Sequence, residues 1–233
     1  MAKKKIKKRG LVFSIILAVL ILLMMFGTIV GGIGYLRFTE TMTDRYNDYA
    51  YHTAATAAQL VSGDSIDSYL TAANGDEGEF TDGILLDFSY RNDLLSRLCL
   101  SQDVSIIYII AVDTTDYEHF YSVFNCPHPS TKYTPWELGS LKYTTQTSGN
   151  QYQNAYKDLY ENGVENTYII RTANLNGAFP HITSMVPLKR SDGSVSSIIC
   201  VQHAMEDLNV VRYSYLTWVI IATVLLIIVS TTV

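Results

Sequence analysis

The chain has 233 residues, 48% of them hydrophobic and 17% charged, with a formal net charge of −5 and a positive mean hydropathy of +0.13. The charged share lies below the ~25% of an ordinary soluble domain, and this composition excludes disorder, collagen and a disulfide-dense scaffold. The distribution of the charge excludes a plain soluble globule.

Residues 1–10 form a basic tail, with Lys3, Lys4, Lys5, Lys7, Lys8 and Arg9 and no acid. Leu11 to Leu36 then run for 26 residues without a charge, longer than the roughly 20 residues a helix needs to cross a bilayer. A cleavable leader fits less well, because its apolar core is only about 7–15 residues long. A second uncharged run, 21 residues rich in Ile, Leu and Val, fills 213–233. Both runs predict membrane-spanning helices. The basic tail predicts a cytoplasmic N-terminus, which puts residues 37–212 outside. That segment holds 11 basic residues against 22 acids, so it has none of the basic stripes that nucleic acid demands. Tyr35, Tyr213, Tyr215 and Trp218 fall at the outer ends of the two runs, where aromatic anchors belong. Gly27 and Gly31 have the spacing that lets membrane helices approach closely.

From Phe38 the pattern stays helical. Met42, Tyr46, Tyr49, Thr53, Ala57 and Leu60 recur at helical intervals, and no Pro or Gly interrupts 37–62. The first membrane helix is therefore expected to continue as one long stem. Gly63 ends it, and Asp64 reads as the N-cap of a short helix through Leu70. The acidic loop 74–79 fails the spacing of a calcium loop. A helix over about 79–98 carries Ile84, Phe88, Leu95 and Leu98 inward.

The period then changes to that of strands. Ser105–Val112 and Tyr117–Phe124 read as a hairpin about Asp113-Thr114-Thr115-Asp116. Residues 126–149 read as an irregular crossover rich in Pro and Gly. Residues 150–161 are helical, with Tyr152, Tyr156 and Tyr160 on one face that reads as a packing face. Asn166–Ala173, Phe179–Leu188 and Ser194–His203 form a three-stranded meander, turned at Asn176-Gly177 and Asp192-Gly193. A helix from Met205 to Arg212 leads into the second apolar run. The expected outer architecture is thus α+β, with a five-stranded antiparallel sheet. The odd number of cysteines (Cys99, Cys126 and Cys200) leaves at least one unpaired within the chain, and all three read as small buried hydrophobes.

This order of elements resembles the extracytoplasmic Cache domains, the PAS-like sensors of bacterial receptors. The stem TMTDRYNDYAYHTAATAAQLVSGDSIDSYL, the hairpin SIIYIIAVDTTDYEHFYSVF, the segment WELGSLKY and the close SSIICVQHAMEDL carry the resemblance, which covers about residues 36–233. It departs at NCPHPS, residues 125–130. The resemblance implies a sensor that binds a small molecule between sheet and crossover and shifts its membrane helices. The output would come from a cytoplasmic kinase, cyclase, chemotaxis or phosphatase module. No such module lies in this chain, which reads as a fragment of a longer receptor. Dimerisation through the stem is expected from its 3–4 spacing.

No catalytic constellation, metal site or cofactor motif is visible. His52, His119, His128, His181 and His203 are scattered, and Cys126 with His128 gives too few ligands for a structural metal. The expectation is a sensor rather than an enzyme. The competing reading is a membrane-anchored envelope protein whose outer domain binds another protein. For ligand binding the candidates are Tyr121, Trp136, Tyr143, Arg171 and His181. Arg171 suits a carboxylate, and Trp136 can stack a ligand or cap an amine. Each has a plainer reading as a core, solvated or hydrogen-bonded side chain. Only one parity of each strand faces a pocket, and the sequence does not say which.

Overall fold

A computed structural model describes residues 2–73, 82–146, 149–171 and 180–232. The chain divides into two units, residues 1–44 with 207–233, and residues 45–206.

The elements of the first unit are the N-terminal part of helix α1, Ala2–Leu60, and helix α5, Glu206–Thr232. Two stretches, Phe13–Leu60 and Val210–Val229, are long and apolar enough to cross a membrane. Glycines let the two helices meet. A Cβ on Gly31 would stand 2.8 Å from Val219 Cγ1, and one on Gly27 would stand 3.2 Å from the Thr223 side chain. Phe38 stacks on Tyr215 with ring centroids 5.2 Å apart.

In the second unit α1 continues unbroken to Leu60. Its inward residues are Ala50, Thr53, Ala54 and Ala57, and Val61 just beyond its end is buried too. The expected stripe is therefore right at Thr53 and Ala57 but rotated at its tyrosines, because small side chains let the helix lie close to its neighbours. The Ser62 hydroxyl, rather than Asp64, caps the turn Gly63–Ser65 by accepting from the Asp64 backbone N–H. Asp64 instead accepts from the Ser191 backbone N–H at 3.0 Å. Helices α2 (Ile66–Ala73) and α3 (Asp82–Ser101) follow. The acidic loop expected at 74–79 and the Asn176-Gly177 turn lie outside the described residues.

The sheet has six strands, in the order β3-β2-β1-β6-β5-β4, all antiparallel. They are β1 Ile106–Val112, β2 His119–Pro127, β3 Leu141–Tyr143, β4 Thr167–Arg171, β5 His181–Lys189 and β6 Val195–Ala204. The expectation of five strands is corrected by β3, which forms inside the crossover read as irregular. At three residues it is too short to show alternation. It is held by Gly139, whose N–H donates to Ser122 O, and by Thr144, whose N–H donates to Glu118 O. The β5–β6 turn at Asp192-Gly193 forms as expected. Gly193 sits at φ +86°, a conformation that side chains rarely adopt.

Each face of the sheet buries its own core. On one face α1, α2 and α3 cover Ile107, Ile109, Phe124, Ile199 and Val201. On the other, helix α4 (Gln151–Glu161) covers Tyr108, Ile110, Met185, Ile198 and Cys200. The tyrosine face of α4 packs inward here, with Tyr152 and Tyr156 buried. All three cysteines are free and buried. A register shift between Ile109 and Ile110 inserts one extra residue into β2.

Candidate functional site

Strand alternation decides which side chains face α4. Tyr108 on β1 pairs with Cys200 on β6, which pairs with Met185 on β5. Cross-strand partners share a face, so Gln202, Thr183, His181 and Arg171 lie on that same side. Between them, α4 and the crossover there is a cavity of about 170 Å³. Tyr108, Phe120, Arg171, His181 and Gln202 line its sheet side, Tyr152 and Tyr156 its helix side, and Tyr133, Trp136 and Thr145 its crossover side.

The aromatic walls interlock. Trp136 meets Tyr108 edge-on at 5.7 Å and Phe120 at 5.6 Å. Its backbone N–H donates to Asn125 Oδ1 at 3.1 Å, which fixes the crossover against β2. The Lys142 ammonium lies 6.0 Å from the Trp136 ring centroid. The Gln202 amide donates to the Tyr108 hydroxyl at 3.4 Å.

The polar chemistry is one-sided. Arg171 hydrogen-bonds Tyr152, but its Nε is buried without a partner among the described residues, and no carboxylate among them forms an ion pair with Arg171. His181 is 2% exposed. Among the described residues no Asp or Glu lines the cavity. Burial pushes the Tyr108 and Tyr156 hydroxyls well above their ordinary range. Burial also raises Tyr152 and Tyr133, against the pull of the nearby Arg171 charge. At neutral pH all four are uncharged phenols able to donate. The wall therefore offers apolar rings, neutral donors and one cation.

Of the five residues expected to bind a ligand, Trp136, Arg171 and His181 come together here. Tyr121 and Tyr143 do not line the cavity. Tyr121 pairs with Ala111 and Leu141, and Tyr143 with His119, so both point to the opposite side of the sheet. Their exposures are 37% and 74%. Phe120 is the inward neighbour that should have been read in place of Tyr121. Tyr108, Tyr133, Tyr152, Tyr156 and Gln202 were also missed. For Tyr152 and Tyr156 the signal was present, because their helical spacing marked an inward face and only the gap beside it was invisible.

A larger depression of about 630 Å³ borders Asp67, Tyr160, Glu161, Lys189 and Arg190. Several of its polar groups are already engaged. Arg190 pairs with Asp67 at 2.9 Å, Tyr160 bonds both Val112 N–H and Ser196 O, and Glu161 accepts from Tyr117. It offers a ligand little, and the smaller cavity is the better candidate.

No family model matches the sequence, and no curated protein matches it. Among solved structures the chain is similar to the periplasmic sensory domain of the Campylobacter jejuni chemoreceptor Tlp1. The identity is 11% over 77% of this chain and 60% of that one, with a TM-score of 0.36. It is also similar to the ligand-binding domain of C. jejuni chemoreceptor Tlp3 in complex with L-valine, at 13% identity over 77% and 66% of the two chains and a TM-score of 0.32. A third is an A. aeolicus Nlh2 GAF domain, at 13% identity over 74% and 90% and a TM-score of 0.34. The chain spans less than two thirds of the length of the two chemoreceptor domains.

Proposed function

We propose that this chain is the sensor region of a bacterial transmembrane receptor and that its cavity takes a small carboxylate. The observation that carries this reading is Arg171, whose buried Nε has no hydrogen-bond partner among the described residues, in an aromatic-walled cavity whose described lining holds no acid. Arg171 is half-buried with its Nε enclosed, and a guanidinium partly withdrawn from water without a counter-charge carries a cost. A carboxylate received bidentately removes that cost and adds charge-assisted hydrogen bonds. The rings of Tyr108, Phe120 and Trp136 suit a flat apolar body next to the acid group. The volume equals about five or six waters, which points to a compact ligand.

In this reading the basic tail stays in the cytoplasm, both apolar helices cross the membrane, and residues 37–212 face outward. Ligand binding favours one arrangement of the outer domain and so biases the helices leading to the membrane. The stem pairs with a second copy. Catalysis belongs to a cytoplasmic output module.

The test is thermal unfolding of the full chain in detergent micelles with benzoate, acetate or benzylamine. Benzoate at about 100 times its Kd stabilises by about 2.7 kcal/mol, a shift of several degrees, while benzylamine leaves the midpoint unchanged. Stabilisation by the amine alone, or by none of the three at millimolar concentration, rejects a carboxylate site.

A further inference from the structure

Strand β6 sends two consecutive side chains to opposite sides of the sheet, as strand geometry requires. Gln202 lines the cavity and holds the Tyr108 hydroxyl. His203 points the other way, to the stem. Its ring lies edge-on to Tyr46 at 4.7 Å and to Tyr49 at 5.8 Å, both on α1. Its Nδ1 is 3.0 Å from the Ala204 carbonyl, which fixes the ring orientation. Tyr49 is anchored in turn, donating to the Gln102 carbonyl at 2.9 Å, while the Gln202 carbonyl accepts from the Ser105 N–H at 2.8 Å. The two tyrosines belong to the helical stripe legible in the sequence, but the core does not absorb them, and Tyr49 is 42% exposed.

We infer that His203 is a positioning residue that passes the state of the cavity to the stem helix. The inference rests on the sensor reading. Gln202 and His203 share one peptide unit, so a shift of the cavity wall at Gln202 moves the base of the His203 side chain. The ring is held between two tyrosines one helical turn apart, so that movement bears on α1 without any new contact. Shape transmits it, and the imidazole needs no change of charge.

The test is amide hydrogen exchange over residues 45–60 of the full chain in lipid nanodiscs, with the cavity perturbed from inside by Tyr108→Phe. This substitution removes the hydroxyl that Gln202 holds. The expected result is a change of roughly threefold or more in exchange at residues 46–53 in the otherwise wild-type chain. The change persists with His203→Phe, which keeps a ring between the tyrosines, and vanishes with His203→Ala. The pair Tyr46→Leu and Tyr49→Leu removes the rings from the stem side and must give the same loss, which covers a failure of His203→Ala to fold. A response that survives removal of the rings, or no response in the wild-type chain, overturns the inference. Benzoate is added as a separate arm. If it fails to shift the thermal midpoint, the carboxylate reading falls while the Tyr108→Phe arm still decides the role of His203.

Discussion

Arg171 and His181 stand directly opposite each other on β4 and β5, both on the side of the sheet that faces α4. His181 is buried among strands and Arg171 is at the last position of its strand, so the guanidinium is held on a rigid edge rather than on a loop. Placement on a strand favours a reproducible geometry for a bidentate partner.

Replacing Arg171 separates binding from folding. Arg171→Leu should weaken benzoate binding by about 10- to 150-fold, the worth of hydrogen bonds to a charged group at roughly 1.5–3 kcal/mol. The same substitution should raise the thermal midpoint of the empty protein, because it removes a half-buried charge that has no carboxylate partner among the described residues. Calorimetric titration and unfolding curves check the two halves. A variant that is less stable when empty and binds as well as wild type contradicts both.

Tyr69 and Asp87 predict the pH limits of the domain. The Tyr69 hydroxyl donates to the Asp87 carboxylate, and Arg91 Nε donates to the same group at 3.1 Å. The bond from Tyr69, with the help of Arg91, holds Asp87 below its usual carboxylate range. Its contribution is complete above that range and is lost as pH falls through the lowered value. Burial, reinforced by Asp87, pushes Tyr69 up to about 12. Its contribution is complete below about pH 10 and is lost as pH rises through about 12. Urea midpoints should therefore fall at both extremes. Tyr69→Phe should flatten the acid limb and cost about 1.5–3 kcal/mol at neutral pH. An acid limb of unchanged steepness would show that the pair does not govern it. The half-exposed Arg91–Asp87 pair alone is worth on the order of 1 kcal/mol.

The glycines of α1 offer an internal control. Gly31→Leu should cost about 1–3 kcal/mol by overpacking against Val219. Gly32, one residue away, has open space where a Cβ would go. Gly32→Ala should be neutral or stabilising by roughly 0.5–1 kcal/mol, since alanine is the better helix former. Resistance to unfolding by sodium dodecyl sulfate compares the two, and equal behaviour would mean that the helices do not meet at this face.

Gly63 makes a sharper case. It is buried, and a Cβ there would overlap the backbone carbonyl of Lys189, which cannot rotate away. Gly63→Ala should destabilise the domain by about 1–3 kcal/mol. Gly83→Ala, at an open position of α3, should not. Chemical denaturation of both variants decides the matter, and a Gly63→Ala chain as stable as wild type would refute the close approach.

The long elements were legible because their periods are long. Six strong residues of β1, the β5–β6 turn at Asp192-Gly193 and the inward tyrosines of α4 could all be read from pattern. β3 could not, since Leu141-Lys142-Tyr143 shows no period and forms only because β2 provides a free edge. Trp136, Arg171 and His181 reach the cavity, and Tyr121 and Tyr143 face away from it for one reason. Tyr121 and Tyr143 differ from Phe120 and Lys142 only in parity, and parity is set by pairing across strands rather than by local residue preference. Gln202 carried no signal of its own, because an amide in a strand next to a histidine is equally at home in water.

The extra residue in β2 has a further consequence. Phe120 and Phe124 are both even-numbered, yet the first faces α4 and the second faces α1, α2 and α3, because the register slips between them. Deleting Val123 would leave Ser122 and Phe124 as neighbours still paired with Ile110 and Ile109, so simple alternation returns and every other side chain of β2 keeps its layer. The bulge lets two consecutive residues, Val123 and Phe124, enter the same layer. Deleting a paired residue of β2 such as Tyr121 shifts parity and should be tolerated far worse than deleting Val123.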